Sequence, residues 1–231
     1  DMITLQASAF ANRQEGMIIS ANSQMPEYMH SYYPQSSFIP YINYNEDLRK
    51  GIDFALGYNK KFGEFELNAL VTGMVQTTEA LKRDDTAYEF DYQKRQGKYT
   101  DAHWGLESAG FFQSDEEVAA WADQSSLGRT FKAGDLKYVD QNGDGKIDSK
   151  DEVELGRWTN PFTFGLGITA KYKGFTLFIA GYGGMGGTNF KTDSYYAMSG
   201  DDKYSVEARK RWTKETAATA ELPRLTTQVA N

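Results

Sequence analysis

The sequence predicts an all-β chain that forms part of a transmembrane antiparallel β-barrel, and three observations carry this prediction. Five segments alternate apolar and polar residues with a period of two over about ten residues each. Strands in soluble domains average only about five or six residues, whereas a tilted strand needs roughly 9 to 11 to cross a bilayer. Finally, very short turns alternate with connections of tens of residues. The alternative is a soluble β-sandwich, because sandwich strands also alternate.

The five predicted strands share one pattern, in which every second residue on one face is apolar while the other face is mostly polar or small. They lie near residues 2–12, 50–60, 64–76, 161–172 and 175–183. Ile52, Phe54 and Leu56 are typical of the apolar face. A lipid-facing wall leaves these side chains exposed, whereas a soluble sandwich would point them into a sealed interior between two layers.

The connections between these strands differ sharply in length. Residues 60–63 and 173–174 are tight turns that close two hairpins. The other connections are predicted to be long loops, at 13–49, 77–160 and 184–231, with short helices near 115–122 and 205–212. Compact soluble domains rarely carry such loops, whereas outer-membrane barrels have short periplasmic turns and long extracellular loops. Since the smallest such barrels use about eight strands, the five predict a piece of a larger barrel.

Composition excludes several classes of function. The chain has 32 acidic and 25 basic residues, interleaved along most of its length, for a net charge of −7, so a nucleic-acid partner is not expected. It has no cysteine and two histidines, which leaves little for thiolate chemistry, a zinc centre or a histidine-based triad, and no enzyme is predicted. The amino terminus lacks the features of a signal peptide, so the chain is either cytosolic or part of something longer. Its 33 aromatic residues and 22 glycines suit β-structure with long polar loops, so we expect the second.

Residues 140–151 form a calcium-type loop. Oxygen-bearing side chains occupy positions one, three, five and nine, glycine occupies position six, and a carboxylate occupies position twelve. The predicted ligands are Asp140, Asn142, Asp144, the carbonyl of Lys146, Asp148 and Asp151. An EF-hand has glutamate at position twelve, so the shorter aspartate predicts a weak, structural calcium site. The alternative is a solvated turn, because Asn-Gly and Asp-Gly are also favoured in turns.

Residues 134–148, Gly-Asp-Leu-Lys-Tyr-Val-Asp-Gln-Asn-Gly-Asp-Gly-Lys-Ile-Asp, resemble a signature of the SusC/RagA family of TonB-dependent outer-membrane transporters. Further segments are similar to parts of that family, at residues 45–52, 110–118, 172–175, 211–213 and 222–225. The resemblance implies a fragment of a barrel of about 22 strands, from the half approaching the carboxyl terminus. It also implies that the plug, the segment that contacts TonB and the final strands lie outside this sequence.

The same resemblance implies a function. Members of the family import oligosaccharides, peptides or other large nutrients across the outer membrane of Bacteroidota, with a SusD-like surface lipoprotein as a lid and TonB as the source of energy. On this hypothesis the chain supplies barrel wall in contact with outer-membrane lipid, together with extracellular loops, and its role is transport instead of catalysis. The alternative function is that of a secreted, soluble, calcium-stabilised β-domain that binds carbohydrate.

Three aromatic residues interrupt the otherwise polar faces of the predicted strands: Phe10, Phe178 and Tyr182. On a wall that faces a lumen, such rings are candidates for stacking on the cargo. The structural alternative is that they pack against the plug. We therefore take these three residues as candidate substrate contacts.

Overall fold

A computed structural model describes residues 2–30, 39–191, 195–196 and 204–226. The described strands are β1 Ile3–Ser20, β2 Tyr41–Phe62, β3 Phe65–Lys82, β4 Ala102–Leu106, β5 Ser108–Phe111, β6 Leu136–Tyr138, β7 Glu152–Arg157, β8 Phe162–Tyr172 and β9 Phe175–Met185. Two short α-helices are α1 Glu27–His30 and α2 Asp115–Ala120. Within this described part, no helix is long and apolar enough to span a membrane.

The chain divides into two compact units. Unit 1 comprises Asp1–His103 and Gly156–Thr188, and unit 2 comprises Trp104–Leu155 and Asn189–Asn231. Unit 1 is built on a five-stranded sheet in the order β1-β2-β3-β8-β9, in which each neighbouring pair is antiparallel. The predicted fold class is thus confirmed: five long antiparallel strands form one sheet.

Four of the five strands extend beyond their predicted ends, β9 by two residues and the other three by more. β1 continues to Ser20 and β2 begins at Tyr41, so both strands reach into the segment 13–49 that was predicted as a loop. β3 likewise continues to Lys82. The reason is that the apolar periodicity ends before the backbone pairing does. The segment 77–160, also predicted as a loop, contains four short strands.

Strand register assembles one apolar surface, which we call the outer face, and one mostly polar surface, the inner face. Phe54 lies opposite Gly73, and Leu56 opposite Val71, which in turn lies opposite Leu166. Many large apolar side chains on the outer face are exposed, among them Phe54 at 38%, Leu166 at 41% and Ile52 at 58%. These side chains are exposed among the described residues, as the barrel-wall prediction expects, and are not enclosed between two layers of them.

The apolar part of the outer face has a defined height, and we call it the apolar band. It covers ten steps on each of three strands, from Ile52 to Phe62, from Phe65 to Val75 and from Phe162 to Tyr172. The one charged outer-face residue in these three stretches is Lys60, near the turn end, and its ammonium lies 4.8 Å from the ring centroid of Phe62. Ten residues at about 3.3 Å each give roughly 33 Å along a strand. At a tilt of about 45° this projects to roughly 23 Å, close to the apolar band of about 25 Å in outer-membrane barrels.

Charged side chains mark both borders of the apolar band. At the loop end, Arg13 pairs with Glu46 at 2.6 Å, and Lys50 lies 3.9 Å from Glu79. The turn end carries its own pair, Lys173 with Glu64 at 3.3 Å. Outer-face aromatic side chains line that same end, at Phe62, Phe65, Tyr172 and Phe175. This order of charge, aromatic ring and aliphatic surface is typical of a wall that crosses a lipid bilayer.

Two outer-face glycines make room for aromatic rings from the neighbouring strand. A Cβ atom on Gly73 would lie 2.4 Å from the ring of Phe54, and one on Gly183 would lie 2.7 Å from the ring of Phe164. Glycine is therefore required at both positions for the ring to lie flat across the strand. This arrangement covers the exposed backbone of the glycine with apolar surface.

Unit 2 has a small core around buried aromatic residues. Phe112 is fully buried and meets Trp121 edge to face, with ring centroids 6.4 Å apart. Trp212 is buried, and its ring occupies the space beside Gly134. The segment predicted as a helix near 115–122 is helical over Asp115–Ala120, and the one near 205–212 forms a 3-10 helix over Val206–Lys210.

Candidate functional site

The inner face of the unit 1 sheet carries two depressions. The first lies mid-sheet and is lined by inner-face side chains of four strands, among them Asp53, Thr72, Met74, Thr163 and Tyr182. Asp53 accepts a hydrogen bond of 2.6 Å from the hydroxyl of Ser8 across β1 and β2. A polar surface that spans neighbouring strands in this way is suited to contact a hydrated molecule passing along the wall.

The structure separates the three candidate substrate residues. Phe178 and Tyr182 lie four residues apart on the inner face of β9 and are 67% and 95% exposed. Phe10 lies on β1, at the opposite edge of the sheet and about 19 Å away at the usual strand spacing. Its ring is half-buried over Gly51, where a Cβ atom would lie 2.7 Å from it. Phe10 thus packs on its own sheet, whereas Phe178 and Tyr182 are exposed in the part of the chain that the structure describes.

A second depression lies at the loop end of the inner face, and we call it the loop-end depression. It has a volume of about 310 Å³. Its lining includes Asn12, Gln14, Arg49, Gln76, Asp101 and Trp158. Its side chains come from β1, β2, β3 and the segments next to β4 and β7, which lie far apart in the sequence.

A buried ion pair supports the back of the loop-end depression. Asp101 and Arg157 are both buried, and the guanidinium Nε lies 3.2 Å from each carboxylate oxygen. Asp101 also accepts hydrogen bonds from the hydroxyls of Thr78 and Thr159. The Arg157 guanidinium stacks 4.4 Å from the ring centroid of Tyr99. The charges of Asp101 and Arg157 compensate each other. The network is therefore suited to hold the segments around Asp101 and Arg157 against β3 at Thr78.

Sequence analysis missed this network. Asp101 and Arg157 are 56 residues apart, both within the predicted loop 77–160, and neither belongs to a local motif. The signal that defines the site is a contact between distant segments, and a single sequence does not record such contacts. Trp158 lies directly after β7 in the sequence, and the inner-face depression that it lines could not be inferred from that position.

The calcium-type loop is closed by its own backbone. The carboxylate of Asp140 accepts hydrogen bonds from the amides of Gly143 and Gly145, at 2.7 and 2.8 Å. Asn142 accepts from the amide of Asp144, and Asp144 from the amide of Lys146. Gly143 and Gly145 have φ values of 74° and 81°, a region that favours glycine. The turns predicted for this loop therefore form.

The carboxyl end of the loop is anchored in unit 2. Asp151 is fully buried and accepts hydrogen bonds of 2.9 Å from the amides of Gln141 and Asp148. Asp148 in turn accepts from the amide of Lys150 at 2.7 Å. Ile147 is also fully buried. The two ends of the loop are thus held together by Asp151, which occupies position twelve.

The residue types of the loop fit calcium better than their present arrangement does. Hard oxygen ligands stand at the positions that a calcium loop uses. Among the residues that the structure describes, however, no group of three or more carboxylate, histidine or cysteine side chains is placed to hold a metal ion. Calcium binding would require the side chains of Asp140, Asn142 and Asp144 to converge on one centre, and their hydrogen bonds to the loop amides allow this because each accepting oxygen keeps a second lone pair.

Long antiparallel strands, an exposed apolar band with charged borders and tight turns at one end define the class of this protein: a transmembrane β-barrel wall. No protein-family profile matches the chain. The TonB-dependent receptor P26 of Formosa agariphila is 33% identical over 122 residues, which are 52% of this chain and 12% of that protein. The chain thus spans about an eighth of the length of that relative.

Two solved structures show the same fold. The RagAB peptide transporter matches with a TM-score of 0.62 and 16% identity over 97% of this chain and 24% of that one. The RagAB peptide importer in its closed-closed state matches with a TM-score of 0.63 and 15% identity over 100% of this chain and 25% of that one. With the relative from Formosa agariphila, they confirm the resemblance inferred from the sequence. The chain is similar in sequence to a segment of a TonB-dependent receptor and in fold to a segment of the RagAB structures.

Proposed function

We propose that this chain forms part of the barrel wall and the extracellular loops of a TonB-dependent importer. The importer carries a large nutrient, an oligosaccharide or a peptide, across the outer membrane together with a SusD-like surface lipoprotein. The observation that carries the proposal is the apolar band, whose exposed side chains and charged borders match a bilayer-spanning wall. The relatives are named as a receptor and as transporters, which supports transport over catalysis.

The proposal also orients the chain. The tight turns at residues 63–64 and 173–174 lie on the periplasmic side, and unit 2 belongs to the extracellular loops. TonB acts through a part of the parent protein outside this sequence. The inner face, with its two depressions, faces the lumen and the cargo.

Fractionation of cells that express the parent receptor tests this proposal. The receptor should stay in the outer-membrane pellet after an alkaline carbonate wash and should require detergent for release, since the apolar band is buried in lipid. Its uptake of cargo should stop when TonB is deleted. Recovery of the parent protein from the culture medium without detergent would favour the alternative, a secreted carbohydrate-binding β-domain.

We also propose that the loop 140–151 binds one structural calcium ion through Asp140, Asn142, Asp144, the carbonyl of Lys146, Asp148 and Asp151. The supporting observation is that buried Asp151 already draws both ends of the loop together. The ion would neutralise carboxylates that now share a small volume, and would thereby stiffen the loop.

Calorimetric titration of the detergent-solubilised receptor with calcium chloride tests the calcium site. We expect saturable binding that disappears in the double variant Asp140→Asn, Asp144→Asn. The control Asp91→Asn removes a carboxylate that lies outside the loop and is paired with Lys94, and it should titrate like the wild type. Equal heats for the wild type and the double variant would show that the loop is only a turn.

A further inference from the structure

We propose that the loop-end depression binds an acidic sugar unit of the cargo, with Arg49 holding its carboxylate and Trp158 supporting its ring. This inference rests on the proposed function, because it requires the inner face to meet the cargo. It goes further by naming the chemical class of the ligand and the residues that select it.

Arg49 is held in place while part of its guanidinium stays available. Its Nε donates a hydrogen bond of 2.7 Å to the side-chain carbonyl of Gln76, which is almost fully buried. Within the described ranges, the two terminal nitrogens of Arg49 have no hydrogen-bonding or ion-pair partner, and the side chain is exposed. A guanidinium that is fixed at Nε and open at both terminal nitrogens suits bidentate binding of a carboxylate.

The other charges around the loop-end depression are already compensated. Asp101 is neutralised by Arg157, and Asp47 forms an ion pair with Arg83. Neither carboxylate is therefore available to Arg49. The net charge that the depression offers to a ligand is the single positive charge of Arg49, so the ligand should be an anion.

Trp158 decides which kind of anion fits better. Its side chain is 57% exposed and lines the same depression as Arg49. The amide side chains of Asn12 and Gln14 are exposed along the opposite lining. A sugar ring presents C–H groups on its faces and hydroxyl groups on its rim, so it can stack on the indole while its rim bonds to the amides. A peptide carboxylate would use Arg49 but would leave the indole without a matching flat partner.

Three probes and three variants of the full receptor test the inference. The probes are an oligogalacturonate, the same oligomer with its carboxylates methyl-esterified, and an acidic peptide of similar length. The variant Arg49→Gln removes the charge from the inner face. The matched control Lys50→Gln removes the same charge one residue further along, on the outer face, where Lys50 lies 3.9 Å from Glu79. The third variant, Trp158→Ala, removes the ring platform.

Binding affinities of the purified receptor give the readout. The wild type should bind the acidic oligomer more tightly than its methyl ester. The affinity of Arg49→Gln for the acidic oligomer should be lower by about tenfold or more, as expected for the loss of a charged hydrogen-bonding pair. Binding of the ester should stay nearly unchanged in that variant, and Lys50→Gln should match the wild type. Trp158→Ala should weaken binding of both sugars by similar factors and preserve the ratio between them.

Several outcomes would overturn the inference. The first is that the wild-type receptor does not bind the acidic sugar, and the second is that it binds the acidic peptide more tightly. The third is that Arg49→Gln lowers the affinity for the acid and for the ester by the same factor. In each case the receptor would still require detergent and TonB, so the proposed function would stand. Failure of the proposed function would instead appear as a parent protein that needs neither.

Discussion

Glu117 orders the beginning of helix α2 through three contacts. Its backbone amide donates to the hydroxyl of Ser114, the N-cap residue, at 3.2 Å. One carboxylate oxygen accepts a hydrogen bond of 2.6 Å from the amide of Gln113, and the other pairs with Lys137 at 2.6 Å. The Gln113 amide, and secondly Lys137, lower the pKa of Glu117 below its ordinary value.

This shift predicts a pH-dependent helix start. Because the folded-state pKa of Glu117 is lowered, its stabilising contribution is fully present above the ordinary glutamate pKa of about 4.3 and is lost as pH falls through the folded value. Hydrogen exchange of the backbone amides at 113–121 in the intact receptor measures the effect. After correction for intrinsic exchange, protection should fall as the pH drops below about 4.3, the ordinary glutamate pKa.

The variant Glu117→Gln tests whether the pH response comes from this carboxylate or from another titrating group. It should show weaker protection at neutral pH, by about 0.2–1 kcal/mol, because Gln keeps a hydrogen-bond acceptor but loses the charge paired with Lys137, and it should show a flat response to acid. Glu64→Gln, in an exposed turn of unit 1, serves as the control and should keep the wild-type response. A Glu117→Gln variant with an unchanged pH response would assign the effect to another group.

For single residues, the sequence predicted the strand face on which a side chain lies better than it predicted which residues that side chain contacts. Phe178 and Tyr182 were recognised as inner-face aromatics because alternation defines the face of each strand residue. Phe10 was assigned in the same way, yet it packs over Gly51. The Arg49–Gln76 contact joins positions 27 residues apart on neighbouring strands. Such contacts depend on strand register, which a single sequence does not fix.

At the scale of the elements, the long strands were predicted where apolar and polar residues alternate. The predicted strands ended too early where the side chains on both faces become largely polar or charged. β1 and β2 remain paired from the apolar band to Ser20 and Tyr41. Along this extension the side chains are largely polar or charged, as in the Arg13–Glu46 pair. Hydrogen bonding of the backbone continues there without a hydrophobic pattern. Sequence periodicity therefore predicted the lipid-spanning part of each strand, not its full length.

The two faces of β3 predict opposite responses to the same substitution. Val71 lies near the middle of the apolar band and is exposed on the outer face, whereas Thr72 lines the mid-sheet depression on the inner face. Arginine at a lipid-facing midplane position costs about 2–4 kcal/mol. Val71→Arg should therefore destabilise the receptor by that amount, while Thr72→Arg should leave folding nearly unchanged and alter cargo selectivity.

Urea titration of the receptor folded into lipid vesicles measures both variants. The difference in unfolding free energy between Val71→Arg and Thr72→Arg is the informative quantity, since the two variants share the added side chain and differ by one position. Equal losses of stability would mean that β3 has no lipid-facing side. A larger loss for Thr72→Arg would reverse the assignment of the faces.

For the whole molecule, composition and pattern predicted the class but not the construction of unit 2. The strand lengths and the contrast between tight turns and long loops already pointed to a barrel wall. By contrast, Arg224 pairs with buried Asp135 at 2.9 Å across 89 residues. The resemblance marked both segments as family motifs without showing that they meet, because packing between distant loops leaves no periodic trace in the chain.

The ring-over-glycine pairs of the outer face have an evolutionary consequence. Phe54 fills the space that a side chain at position 73 would need, and Phe164 does the same at position 183. If Gly73 alone gains a side chain, the two groups collide, and if Phe54 alone is shortened, bare backbone is left facing acyl chains. Descendants of this gene should therefore keep or exchange each pair jointly, so that positions 54 and 73 drift as one heritable unit, and likewise 164 and 183.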